Sequence, residues 1–70
     1  MNSRVQSVLL DTNKFTLSKA YNWVSTHGFK YHKIDIKKNY FRFRQFNPNT
    51  KQKNYRTIEL TDGVKAIIEF

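Results

Sequence analysis

The stretch from Phe15 to Phe29 holds a start, a face and a stop for one helix, and no other part of the chain does. Thr16 can cap the free amides of a first turn, and Phe15 before it can staple onto Ala20. Leu17, Ala20, Tyr21 and Val24 recur at the spacing of one helical stripe. His27 suits the negative end of the helix, and Gly28 suits the left-handed residue that closes it. Phe29 can then fold back on the stripe. The pattern predicts a helix over about 17–27. Trp23 lies at the margin of the stripe, where it is either half-buried packing or an exposed binding ring.

Everything outside that stretch reads as strand and turn. Val5 to Leu10 is short and β-branched, and Asp11-Thr12-Asn13 closes it. Two alternating runs follow the helix, Phe29 to Ile36 and Tyr40 to Phe46. A turn at Lys38-Asn39 would oppose Ile36 to Phe41, Ile34 to Phe43 and His32 to Gln45 on one face. On the other face Asp35 would meet Arg42, Lys33 would meet Arg44, Lys37 would meet Tyr40 and Tyr31 would meet Phe46. A slip of one residue would set apolar side chains against charged ones. Lys-Asn is a weak turn, so a longer loop stays open. Asn47 to Asn54 is a polar loop, expected to be exposed and mobile. Asp62-Gly63 is a strong hairpin signal. Centred there, Ile58 would pair with Ile67, Thr57 with Ile68, Arg56 with Glu69 and Tyr55 with Phe70. Val64, Ala66, Ile68 and Phe70 would form its apolar face.

The expected fold is therefore α+β, one helix packed on a mostly antiparallel sheet, in the order β-α-β-β-β-β. With 70 residues the chain is one domain over 1–70. A core this small supplies only about 3–5 kcal/mol. Without cysteine, disulfides and thiolate zinc sites are excluded, and His27 and His32 have no third ligand near them in sequence. Oligomerisation, as a homodimer, is the remaining common reinforcement.

The start Met1-Asn2-Ser3-Arg4 has no secretory signal, and the longest apolar runs, Val8 to Leu10 and Ala66 to Ile68, are too short for a spanning helix. No membrane association is expected, and a soluble cytosolic product is.

Thirteen Lys and Arg against five Asp and Glu give a net charge of +8. From Lys30 to Arg56 there are nine basic residues and one acid, Asp35. Such a stretch attracts polyanions. The second face of the predicted hairpin would gather Lys33, Lys37, Arg42 and Arg44 with Tyr31, Tyr40 and Phe46. Cations neutralise phosphates, and rings give bases something to stack on. Lys38, Lys51 and Lys53 extend the basic set. The candidate nucleic-acid site is thus Lys33, Lys37, Lys38, Tyr40, Arg42, Arg44, Lys51 and Lys53. Two other readings of the face stay open: a dimer interface with arginines at its rim, or an ordinary solvated sheet surface. Catalysis finds no support, since cysteine nucleophiles, a phosphate-cradling glycine loop and closely spaced carboxylates are all missing. A trio such as His27, Asp35 and Ser18 or Ser25 arises by chance in any domain of this kind. No cofactor and no metal is expected.

Phe15 to Lys33, followed by Asn39-Tyr40-Phe41-Arg42-Phe43-Arg44-Gln45-Phe46, resembles a module of small proteins from bacteriophages and large eukaryotic DNA viruses, including the marseillevirus group. The shared pattern is Phe-Thr, an Ala and a Trp in the helix, His-Gly-Phe or Tyr, then Asn-Tyr-aromatic-Arg-Phe-Arg-Gln. Arg56-Thr57, Gly63 and the terminal Ile67-Ile68-Glu69-Phe70 continue it. The resemblance brings no established activity. Its association with capsid or maturation genes implies a virion or assembly role, location in the virion and the host cytoplasm or nucleus, and other virion proteins as partners. It points to Arg42, Arg44 and Gln45 as the shared functional residues; alternatively Phe41, Phe43 and Gln45 complete the core.

Overall fold

The computed structural model describes residues 4–46 and 54–70. Along the chain run β1 (Arg4–Asp11), α1 (Leu17–Thr26), β2 (Ile34–Ile36), β3 (Tyr40–Arg44), β4 (Tyr55–Thr61) and β5 (Val64–Glu69). The strands form one five-stranded sheet in the order β2-β3-β1-β5-β4. Every neighbouring pair is antiparallel. The architecture is the α+β arrangement the sequence predicts.

The first strand of the chain is the middle strand of the sheet, which explains its apolar character. Val8 and Leu10 are fully buried. Two rows of side chains cross the sheet beneath the helix. Ile34, Phe43, Val8, Ala66 and Ile58 lie side by side, as do Ile36, Phe41, Leu10 and Val64. Ala20 and Val24 of α1 close on them from above. The Tyr21 ring meets Phe43 edge-on, with centroids 5.4 Å apart. Ile36 keeps the core parity yet is 64% exposed: it sits on the edge strand, beyond the cover of the helix.

The helix forms as its punctuation requires. Thr16 Oγ1 accepts from the Lys19 amide at 3.2 Å. At the other end Phe29 N–H donates to Val24 O and Gly28 N–H to Ser25 O, the paired bonds of a Schellman cap, with Gly28 at φ +79°. His27 is the C-cap, and its ring stacks on Trp23 at 3.8 Å. Trp23 is half-buried.

The β2–β3 register is the one the charge and apolar patterns select: Ile34 opposite Phe43, Asp35 opposite Arg42, Ile36 opposite Phe41. Strand β2 is much shorter than the run Phe29 to Ile36, however. The Schellman turn commits Phe29 to the helix, where it stacks parallel to Trp23. Lys30 to Lys33 then cross to the sheet without strand pairing.

The β4–β5 hairpin keeps its Asp62-Gly63 turn but not the expected register. A bulge lies between Glu59 and Thr61, so Leu60 is extra and the pairs shift by one. Ile58 faces Ala66, Thr57 faces Ile67, Arg56 faces Ile68 and Tyr55 faces Glu69. The expected Arg56–Glu69 ion pair is replaced. Tyr55 Oη donates to Glu69 Oε1 at 3.3 Å, and the Arg56 guanidinium lies 5.5 Å from the Phe70 ring centroid. Val64 and Ala66 are buried as expected, whereas Phe70 is 37% exposed. The polar loop expected at 47–54 lies outside the described residues except for Asn54.

Candidate nucleic-acid interface

The face of the sheet opposite the helix carries the candidate site, and strand parity places Tyr40, Arg42 and Arg44 on it. Asp35, Arg42, Leu9, Lys65 and Glu59 form one row across all five strands. In that row a cation flanks the central leucine on each side, and an acid closes each end. The β2–β3 hairpin taken alone is basic on this side. Because β1 lies between β3 and β5, the same face also receives Asp11, Glu59 and Glu69.

Both arginines are engaged. Arg42 Nε donates to Ser7 Oγ at 3.1 Å, and Nη2 donates to Gln6 Oε1 at 3.3 Å. Ser7 Oγ–H donates in turn to Gln6 Oε1 at 2.6 Å, and Gln6 Nε2 donates to Phe46 O. Gln6 and Ser7 are 1% and 0% exposed. A bulge in β1 between Val5 and Ser7 lets these two neighbours work on the same polar network. Arg44 Nη2 pairs with Asp35 Oδ2 at 3.0 Å. Arg4 pairs with the buried Glu69 at 3.1 Å and lies over the Phe46 ring at 4.0 Å. These guanidiniums satisfy the protein's own polar and acidic groups before they meet a ligand.

Tyr40 is half-buried, opposite Asp11. It borders an open concavity of about 560 Å³ over Leu9, with Asp11, Glu59 and Lys65 around it. Asp62 and Lys14 stand at its rim, joined at 2.6 Å. That hydrogen bond, more than the general field of Asp11 and Glu59, raises Lys14 above its ordinary value. The mixed carboxylates and ammoniums leave little net charge there for a phosphate. Among the described residues no three His, Asp or Glu gather as metal ligands, and no helix is long and apolar enough to cross a membrane.

A run of unpaired positive charge lies at the sheet edge. Lys33, Lys37 and Lys38 flank β2 at the sheet edge, and all three are exposed, as is Lys30. Among the described residues, none of the four takes part in an ion pair. The Lys38 backbone is held where the hairpin turns, since Thr12 Oγ1 donates to Lys38 O at 3.0 Å and Thr12 N–H to Asn39 O. Lys51 and Lys53 lie outside the described residues.

Gln45 works on the backbone. Its Oε1 accepts from Lys30 N–H at 2.8 Å, and its Nε2 donates to Lys30 O at 3.0 Å. It thus pins the crossing segment Lys30 to Lys33 to the end of β3. That segment presents Tyr31 and His32 to solvent. A continuous strand over Phe29 to Ile36 would hide it; the visible signal is Gly28 followed by an uninterrupted polar and aromatic run.

In comparisons with known proteins, no family model, curated protein or solved structure matches the chain.

Proposed function

We propose that this chain is a small basic nucleic-acid-binding protein that holds its ligand mainly through phosphates, without catalysing a reaction, as a viral accessory or virion-associated protein. What supports the binding reading is the run of exposed lysines, Lys30, Lys33, Lys37 and Lys38, along one sheet edge with no ion pair among the described residues. Ammonium groups in that state release counterions when they meet phosphate, which gives a sequence-independent attraction. The viral part of the reading rests on the resemblance alone, carried by Phe15 to Lys33, Asn39 to Phe46, Arg56-Thr57, Gly63 and Ile67 to Phe70. Arg42 and Arg44 support the lysines through the general field, because Arg42 Nε and Nη2 are held by Ser7 and Gln6, Arg44 Nη2 is held by Asp35, and Arg44 Nε is buried without a partner.

Anisotropy of a labelled oligonucleotide, read against salt, tests this. Binding should weaken steeply as salt rises. Changing Lys33, Lys37 and Lys38 to Gln should flatten the log–log slope by about 0.7–0.9 for each ammonium–phosphate pair removed. A parent protein that binds no oligonucleotide at low salt overturns the reading.

A second reading is a homodimeric assembly module that packs with other virion proteins. The observation favouring it is the edge strand β4, where Leu60 and Tyr55 are 40% and 43% exposed, beside Phe70. Light scattering separates the two: a stable dimer without affinity for nucleic acid at moderate salt favours assembly.

A further inference from the structure

We infer that the segment Lys30-Tyr31-His32-Lys33 is a base-stacking ledge, and that the nucleic acid this protein prefers is single-stranded. The inference rests on the nucleic-acid reading above and narrows it to a strand type and a site.

Three observations carry it. The first is exposure in an unusual place. Tyr31 is 43% exposed and His32 is exposed, although the core lies close by at Phe29 and Ile34. Their rings lie 4.6 Å apart with planes inclined by 35°, so together they make a two-ring platform. Tyr21 supports it from the helix, its ring meeting Tyr31 nearly perpendicular at 6.3 Å.

The second is rigidity without secondary structure. The segment has no strand pairing of its own, yet both ends are tied. Gln45 holds the N–H and the C=O of Lys30, and Arg44 N–H donates to Lys33 O at 3.0 Å. A platform fixed in advance loses little entropy when a ligand arrives.

The third is charge. Lys30 and Lys33 bracket the two rings, and both are exposed without an ion pair among the described residues. The acid beside them in sequence, Asp35, is held by Arg44. Cations spaced around exposed rings are what a single strand requires: phosphates run along the ammoniums while a base lies on the rings. In a duplex the bases are already stacked and cannot reach such a ledge.

Three labelled DNA probes of about twelve nucleotides test this: oligothymidylate, the same backbone without bases, and a duplex of matched phosphate number. The parent should bind oligothymidylate about tenfold more tightly than the abasic strand, the scale of one base–ring stack. Tyr31→Leu should lose that preference and keep the abasic affinity. Tyr31→Phe should retain it. His32→Leu, at an exposed position where folding is not in question, should reduce it. Circular dichroism checks the fold of each variant. Equal affinity of the parent for oligothymidylate and abasic strand, a preference for duplex, or an unchanged preference in Tyr31→Leu would overturn the ledge while leaving phosphate binding intact. A parent that binds none of the three probes at low salt overturns both readings.

Discussion

The Gln45 carboxamide holds the backbone of Lys30 in both directions, accepting from its N–H at 2.8 Å and donating to its C=O at 3.0 Å. Here a side chain stands in for a strand neighbour, and a further hydrogen bond, Nε2 to Phe43 O at 3.2 Å, steadies it. Gln45→Leu should destabilise the protein by about 1–2 kcal/mol, as two neutral hydrogen bonds imply. Gln45→Glu should recover little, because a carboxylate can accept from Lys30 N–H but cannot donate to either carbonyl. Hydrogen exchange at the Lys30 amide reads the effect directly: it should be protected in the parent, accelerated most in Gln45→Leu, and less in Gln45→Glu, which keeps the acceptor for that amide.

The two glycines at positive φ should differ in what they tolerate. Gly28 has φ +79° and nothing within 4 Å of an added Cβ, so Gly28→Ala meets only backbone strain. Set against the unfolded-state entropy it removes, the net loss should be about 1 kcal/mol. At Gly63, φ +80°, an added Cβ would stand 2.8 Å from Lys14 Cδ and 3.3 Å from Phe15 Cε1. The lysine tip can swing away, but the ring must give. Gly63→Ala should cost about 2 kcal/mol or more, a large share of the stability a domain this small has. Urea titration of the two variants gives the order, and Gly28→Ala proving the worse would contradict it.

Lys14 and Asp62 make a readable alkaline titration. The Asp62 hydrogen bond raises Lys14 in the folded protein. A group raised on folding supports the fold below its unfolded value and loses that support as pH climbs through the folded one. The pair's contribution should therefore be complete at neutral pH and vanish above the ordinary lysine range. The pair is exposed, with side chains 46% and 82% accessible, so the effect belongs to titration more than to melting. Asp62→Asn keeps a turn-forming Asn-Gly and removes the carboxylate. Nitrogen NMR of the Lys14 ammonium should show its midpoint fall in that variant.

Features that depend on near neighbours are legible in the sequence. Thr16, Gly28 and Phe29 act within one or two turns of the helix, so their roles can be read directly. The β2–β3 register is legible because two patterns agree, apolar Ile34 against Phe43 and charged Asp35 against Arg42. The Leu60 bulge has no such signature: no glycine or proline marks it, and the Asp62-Gly63 turn points to an unbroken ladder. It shifts the pairing by one residue and dissolves the expected Arg56–Glu69 contact. The candidate site behaves likewise. Parity puts Arg42 and Arg44 on the open face, but what that face carries depends on which strands lie beside β3. Ser7 and Gln6 reach Arg42 from 35 and 36 residues away. Pairing across that separation follows from strand order, which no local pattern encodes.

The Arg42 fork yields the last test, because it separates a structural arginine from a ligand-binding one. Its Nε and Nη2 serve Ser7 and Gln6, two nearly inaccessible residues whose polar atoms have few other partners. Arg42→Leu should cost about 1–3 kcal/mol, the penalty for leaving buried polar groups without their charged donor. Arg42→Lys should not restore it, since one ammonium cannot span two acceptors as a planar guanidinium does. Both variants should lower the urea midpoint, while the salt slope for oligonucleotide binding should change in Arg42→Leu by no more than one cation's share and in Arg42→Lys not at all. If Arg42→Lys keeps the parent's midpoint but loses affinity, the guanidinium belongs to the ligand and not to the Gln6–Ser7 pair.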